Sequence, residues 1–591
     1  MAKLQLKRRT EIKKHPYGLL CLIFLLFLPY SFGAEDPVGI RELCDRYIES
    51  WKEFYPSRAF SRGFLDSLFE IEDYSLESIS GWLILNKKTL ADISRKEPNL
   101  VLEDRIDARL LRIQVQFEID RWENEAPHTN SPAFYSRFIS QATRGVLTSE
   151  LLLSGEKARI FLSRLDAVNK MCSTAVRQLK SGSPNGITAS LTMLEESAIY
   201  YASKLPDLGR EEIASINFDQ FFSQCQHTAS QIQNLISHIK HNVESISTDR
   251  DSPILGREMF AKKLLLTTDL DLTPEKLESM AIKEIHTVRE LMAEAAANYL
   301  QETYPNKILP GTQNDLINRA IEDMEKSHPT SEQEYLMMWK ELAKKAEEFI
   351  REKKIATLPD NLTLSIVLAP ESAGPSARIG WVRSAPPFQP NPWTTIYLPT
   401  IPDTFPEQER KEFWRSFNNY FTRFIVIHEL FPGHYIQSKI NRENPHVVRR
   451  LFPYVLYSEG WATLCETVAL DAGWDNNHKL TRLAQLRKRL ENANRAYTSV
   501  KAHCSGWDLE KVLEFSINTS LLAPQFAKSL WGRLMRSPIG ITTYFLGIQQ
   551  FSSLLEAEKK RLGEKFRIID FMDTILRAGP IPLDEFQEIF K

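Results

Sequence analysis

Within seven consecutive positions the chain places His428-Glu429-Leu430-Phe431-Pro432-Gly433-His434, two imidazoles and a carboxylate beside an aromatic stretch of low polarity. Such groups are costly to bury unless they are paired or hold a metal. Neutral imidazole is a good zinc ligand, and a carboxylate next to the first ligand can take a proton from water that the metal activates, without binding the metal itself. In the His-Glu-x-x-His pattern the histidines are four apart and share a helix face. Here they are six apart, which at ~100° per residue puts them roughly 240° apart on a straight helix. Pro432 cannot donate a backbone hydrogen bond and Gly433 tolerates unusual dihedrals, so the pair predicts a break that swings His434 back beside His428. The bland alternative is a core histidine ending an aromatic helix, an ordinary Pro-Gly turn and a surface His434.

A second cluster, Ser458-Glu459-Gly460-Trp461-Ala462, opens another apolar helix, with Glu459 25 residues after His434. Glu459 and Glu466 are seven apart and share a face. One carboxylate can complete a three-ligand site for a single zinc ion, leaving a position for water, while the other orients a ligand histidine from behind. Glu459 is favoured as the ligand and Glu466 as the outer partner. Taken alone, Glu459 is also the charge that a helix N-terminus attracts through its dipole.

The run His-Glu-x-x-Pro-Gly-His followed by Glu-Gly-Trp-Ala resembles the signature of the bacterial family catalogued as domain of unknown function 885, whose members are similar to zinc metallopeptidases with an all-helical body. The resemblance continues through Pro253-Ile254-Leu255-Gly256, Phe260, Arg487, Arg495, His503, Gly506-Trp507, Arg533, Pro538, Tyr544 and Gly547, covering roughly residues 250 to 555. It implies His428, His434 and Glu459 as metal ligands, Glu429 as general base, and His503, Arg533 and Tyr544 as residues near the substrate. Imidazole and phenol can donate hydrogen bonds to an oxyanion, and a guanidinium can hold a peptide carboxylate bidentately. Two departures bear on substrate choice and on the outer partners of the site. Ser499 stands where many members carry an acidic residue, and Ile539-Gly540 stands where Gly-Gln follows the proline.

The elements that must position these residues are mainly helical. Apolar residues recur at three- and four-residue steps from about residue 38 to 250, with breaks near Pro56, Ser181-Gly182-Ser183-Pro184 and Pro206. Thr273-Pro274 marks a helix start, with a helix to about Leu300, and another is expected from Ser331 to Lys353. Leu362 to Leu368, Arg378 to Val382 and Thr394 to Leu398 read as short strands of a small sheet over 361–400, and the last could add an extended peptide to its edge. Beyond Pro406 a helix carries Trp414, Phe417, Phe421 and Phe424 up to His428 on one stripe. Helices follow over Tyr457 to Asp471, Lys479 to Lys501, Leu509 to Phe515, Pro524 to Leu534 and Thr542 to Arg561. The expected fold is a large, mainly α, zincin-like metallopeptidase fold, with an N-terminal helical region over 35–252 and a metal-binding region over 253–591.

Lys3, Lys7, Arg8, Arg9, Lys13 and Lys14 precede an apolar run from Leu19 to Leu28, then Pro29, Ser31, Gly33 and Ala34, which reads as a secretory signal over residues 1–34. The run is shorter than the ~20 residues that span a bilayer, and an uncleaved anchor is the alternative. Cys21 lacks the small-residue context of a lipidated cysteine, so no lipid is expected on it. Export to the periplasm or beyond follows, with no membrane contact after signal removal. A net charge of -2 with dispersed basic residues argues against a nucleic-acid partner. Cys44, Cys172, Cys225, Cys465 and Cys504 are scattered, which signals neither a disulfide framework nor a thiolate metal site. The expected activity is zinc-dependent cleavage of peptide bonds in short peptides. An amidase acting on cell-wall peptides and a non-catalytic helical binding protein share the same residues.

Overall fold

Helices begin where the sequence supplies a cap. Ser75, Ser183, Thr273, Ser331, Asn418 and Asp508 each accept a hydrogen bond from the backbone N–H three residues on, meeting a demand that the helix itself leaves unmet. Pro56, Pro184 and Pro274 stand at first helical positions, where the missing N–H costs nothing. The computed structural model describes residues 39–67, 70–143, 154–212, 217–246, 254–307, 311–370, 373, 377–390, 392–522 and 524–591. The expected signal, Cys21 and Pro253 lie outside the described residues. The expected break at Pro206 takes another form: a π-helical turn over Tyr200–Lys204 runs straight into the helix Leu205–Glu212.

The chain is mainly α, and its sheets are small. Strands β1 (Ser181–Gly182) and β2 (Glu244–Ser245) pair in parallel, and β3 (Leu364–Leu368), β4 (Trp381–Ser384) and β5 (Thr394–Leu398) form a three-stranded sheet in the order β3-β5-β4. β5 is therefore central, parallel to β3 and antiparallel to β4. Both of its edges are taken, so the expected addition of a peptide to Thr394 to Leu398 is overturned. β4 also starts later than its composition suggests, because Gly380 turns at φ +70° and sits so close to β5 that a Cβ there would lie 2.7 Å from the Tyr397 carbonyl oxygen.

The helix expected beyond Pro406 is two helices, Glu407–Ser416 and Asn419–Glu429, because the Asn418 side chain accepts from the Phe421 N–H at 3.0 Å and restarts the helix. Phe413, Trp414 and Phe424 still reach the core. The two regions distinguished in the sequence share that core within one compact unit, Ile40–Lys591. Buried Arg449 pairs with Asp107 at 2.7 Å and with Glu103 at 2.6 Å, and His446 Nδ1 lies 2.5 Å from Asp107.

Five helices build and frame the motif. Asn419–Glu429 packs on Tyr457–Asp471 and on Lys479–Cys504, Tyr457–Asp471 packs on Thr543–Leu562, and Lys479–Cys504 runs along Pro274–Thr303. The crossing of Tyr457–Asp471 and Thr543–Leu562 is a backbone contact: a Cβ on Gly460 would lie 2.7 Å from the Gly547 carbonyl carbon, and one on Gly547 would lie 2.4 Å from the Leu456 carbonyl oxygen. No described helix is long and apolar enough to cross a membrane, and the five described cysteines are free.

Candidate metal centre

The helix carrying His428 stops at Glu429 and a new one starts at His434. Gly433 makes that restart possible. Its N–H donates to the Ile427 carbonyl at 3.2 Å, and any Cβ there would lie 1.8 Å from the His428 carbonyl oxygen. The Trp461 indole fixes the turn from the next helix by donating to the Pro432 carbonyl at 3.0 Å. The outcome is the one expected of the Pro-Gly pair: the imidazoles of His428 and His434 meet edge to face, 4.8 Å between centroids.

Glu459 Oε2 lies 3.6 Å from His428 Nε2 and 3.6 Å from His434 Nε2. These are too long for hydrogen bonds but close to the roughly 3.4 Å that separates ligands around a tetrahedral metal with bonds of about 2.1 Å. All three donor atoms lie within 4.8 Å of one another. His428, His434 and Glu459 therefore fit a divalent metal in number, type and convergence. Behind them Glu466, buried, holds His428 Nδ1 at 2.7 Å, which turns Nε2 toward Glu459. The second oxygen of Glu466 is buried with no partner. Exposed Ser458 lies 3.3 Å from His434 Nδ1.

Burial on its own would lower the pKa of His428, but Glu459 and Glu466 outweigh it and raise it to about 10. Burial likewise opposes the charge on Glu459, yet the two imidazoles hold it well below the usual carboxylate range. Both shifts state that the carboxylates favour a positive charge at the centre, whether proton or metal ion. Glu429 follows the first ligand directly, half-buried, and its carboxylate makes no hydrogen bond among the described residues.

Of the remaining predicted residues, Tyr544 and Arg533 belong to the neighbourhood and His503 does not. Tyr544 is half-buried, near Arg533 and under the field of Glu459, and burial together with that carboxylate raises its pKa. The Arg495 guanidinium lies 4.8 Å from the Tyr544 ring centroid. His503 is buried with both nitrogens committed: Nε2 donates to the Leu534 carbonyl at 3.1 Å and Nδ1 accepts from the Leu255 N–H at 3.2 Å. It ties three segments together and has no donor left for an oxyanion, which corrects the expectation of a residue at the substrate. Ser499 is buried as well, donating to the Pro538 carbonyl at 2.7 Å.

The sequence reading missed Lys488 and Glu491. Glu491 accepts from Lys488 at 3.2 Å and from Arg495, and these two cations overcome burial to hold its pKa at about 2. The spacing of three and four through Lys488, Glu491 and Arg495 was the available signal, a charged face on a helix whose other residues are largely buried. A cavity of ≈ 480 Å³ between Pro274–Thr303 and Lys479–Cys504, lined by residues such as Asn298, Asp471 and Arg489, contains none of the predicted site residues.

The profile of a family described as bacterial proteins of unknown function (DUF885) matches residues 56–589. The chain belongs to this family. The match extends the DUF885 relationship across the N-terminal helical half, well beyond the residues that carried the resemblance. A solved structure of a candidate lipoprotein of unknown function from Shewanella oneidensis is similar at 17% identity, with a TM-score of 0.79, covering 93% of this chain and 99% of that one. A candidate lipoprotein from Colwellia psychrerythraea is similar at 17% identity, with a TM-score of 0.70, over 93% and 98% of the two chains. At that identity the likeness establishes the fold. No curated protein matches the sequence.

Proposed function

We propose that this DUF885 protein is a zinc-dependent hydrolase that cleaves peptide bonds in short peptides. The observation that carries the reading is the convergence of His428, His434 and Glu459, with Glu466 behind His428 and an unpaired Glu429 beside it. A zinc ion, when bound, supplies Lewis acidity at the carbonyl and makes water acidic enough to deprotonate near neutral pH. Glu429 takes the proton from the attacking water and delivers it to the departing amine. Tyr544, near Arg533, supplies the hydrogen bond to the oxyanion that was expected of His503 or Tyr544. The basic segment and apolar run at the N-terminus, together with relatives described as candidate lipoproteins, support export to the cell envelope.

The test is metal analysis by mass spectrometry, followed by peptide-library hydrolysis. Wild type should carry about one zinc per chain, and the His428→Ala, His434→Ala double variant should carry none and cleave nothing. Glu429→Gln should keep its zinc and lose about 10²- to 10⁴-fold in rate, the usual worth of a positioned base. Full activity in zinc-loaded Glu429→Gln would remove the assigned base, and a metal-free wild type after zinc supply would remove the reading altogether.

A further inference from the structure

The cavity of ≈ 480 Å³ between Pro274–Thr303 and Lys479–Cys504 has the end of Tyr457–Asp471 as a third wall, and both signs of charge line it. Buried Leu470 and Leu486 supply its apolar part. Ion pairs of Lys479 with Glu302 and of Lys501 with Glu278 run the two long helices antiparallel, so Glu294 stands opposite the stretch from Gln485 to Arg489. Glu294 has no hydrogen bond or ion pair among the described residues. Arg489 gives Nε to Glu284 and leaves its two terminal nitrogens without a partner among them. Gln485, 2% exposed, donates from Nε2 to Thr467 at 3.4 Å, and its side-chain oxygen accepts from none of them. A carboxylate, an amide oxygen and a guanidinium edge are thus left free around one volume.

The rim of the cavity is firmly built. Asp475, Asn476 and Asn477 are left-handed in succession, at φ +54°, +53° and +57°, and Asn477 lines the cavity. L-residues take that conformation singly, so three in a row persist only where the surroundings dictate them. Asp475 accepts from Arg423 at 2.7 Å and from Thr481, and the Trp474 indole donates to the Arg423 carbonyl at 2.7 Å.

A lone anion would leave Glu294 unmatched, and a lone cation would do nothing for Arg489. A molecule carrying both charges on neighbouring atoms answers both, and the volume lies in the range of small-molecule sites, roughly 300 to 1,000 Å³. We infer that this cavity binds a free α-amino acid with an apolar side chain: its ammonium on Glu294 and Gln485, its carboxylate on Arg489, its side chain against Leu470 and Leu486. A guanidinium is the fork that suits that carboxylate. The site shares no residue with the metal centre, and the binding does not depend on the hydrolase reading. Free amino acids are also what cleavage of short peptides releases.

The experiment is calorimetric titration of full-length wild type, and of the His428→Ala, His434→Ala double variant, with L-leucine, L-leucinamide and 4-methylpentanoate. The double variant removes the metal centre as a competing site. Leucine should bind both proteins roughly 10- to 100-fold more tightly than either analogue, the range expected for one charge-assisted pair. Glu294→Gln should bring leucine to the level of 4-methylpentanoate. Arg489→Lys, which keeps a cation for Glu284, should bring it close to leucinamide, and both variants should melt at the wild-type temperature. Leucinamide binding as tightly as leucine would make this a cation site, and 4-methylpentanoate doing so would make it an anion site; either result overturns the proposal, as does no heat from leucine at about 10 mM. Leucine binding confined to wild type would move the ligand to the metal centre and overturn it too. Leucine binding to the double variant, beside a wild type that cleaves no peptide, would retire the hydrolase reading and leave the amino-acid site standing.

Discussion

Two buried glutamates, one in each half of the molecule, are equally hidden from solvent and differently employed. Glu118, in the N-terminal half, accepts from Tyr55 at 2.6 Å, Trp82 at 2.9 Å and Trp122 at 3.0 Å on one oxygen, and from Gln114 at 3.0 Å on the other. Its demand is met by neutral donors, and the result is a fixed aromatic core. Glu466, in the C-terminal half, spends one oxygen on the His428 imidazole and leaves the other without a partner. Burial does not separate the two. What separates them is the partner: an imidazole whose far nitrogen faces Glu459 transmits the charge of Glu466 into a cluster that favours a cation.

The largest effect expected from this contrast is on metal affinity. Glu466→Gln should weaken zinc binding about 10- to 100-fold in a chelator competition, as loss of an outer carboxylate commonly does; an unchanged affinity would make Glu466 as structural as Glu118. Glu118→Gln should leave zinc content untouched and lower the unfolding free energy by about 1 to 3 kcal/mol in urea titrations, since an amide cannot accept from all of these donors. Zinc loss in that variant would show that the halves are not separable in this way.

The smallest effect concerns His503, which the structure places in support of the fold. Burial depresses its pKa, against the Leu534 carbonyl, which raises it. As pH falls through the unfolded value of about 6.5, the unfolded chain takes the proton first, so the stability that the neutral ring contributes is complete above that pH and lost below it. Wild-type unfolding free energy should therefore fall more steeply between about pH 6.5 and 5 than that of His503→Asn. Identical slopes would mean that the ring is not held neutral.

The centre was legible because its chemistry sits in two short segments, each read through one helix period and one break. His428, His434, Glu459 and Glu466 needed no knowledge of distant contacts beyond the assumption that two neighbouring helices pack. Helix starts at Thr273, Ser331 and Tyr457 were legible for the same local reason, and the break at Asn418 carried a cap signal that the aromatic stripe masked. His503 was not legible, because its partners come from Leu255 and Leu534, chain segments whose convergence no local pattern encodes. Strand order was hidden likewise: the composition of β5 is that of a strand, and nothing in it says whether its edges are covered. The union of the two halves depends on Arg449 finding Asp107 342 residues away, a pairing set by the packed fold and not by spacing.

The meeting of Gly460 with Gly547 has a consequence for what this protein can become. Glu459 precedes one glycine and Tyr544 lies a turn before the other, so the spacing of these two side chains is set by two main chains in contact. A Cβ at either glycine would lie under 3 Å from the facing backbone, so any larger residue there would push the two helices apart and displace both side chains together. Diversification within this architecture must therefore act on the side chains around the two helices and spare the crossing.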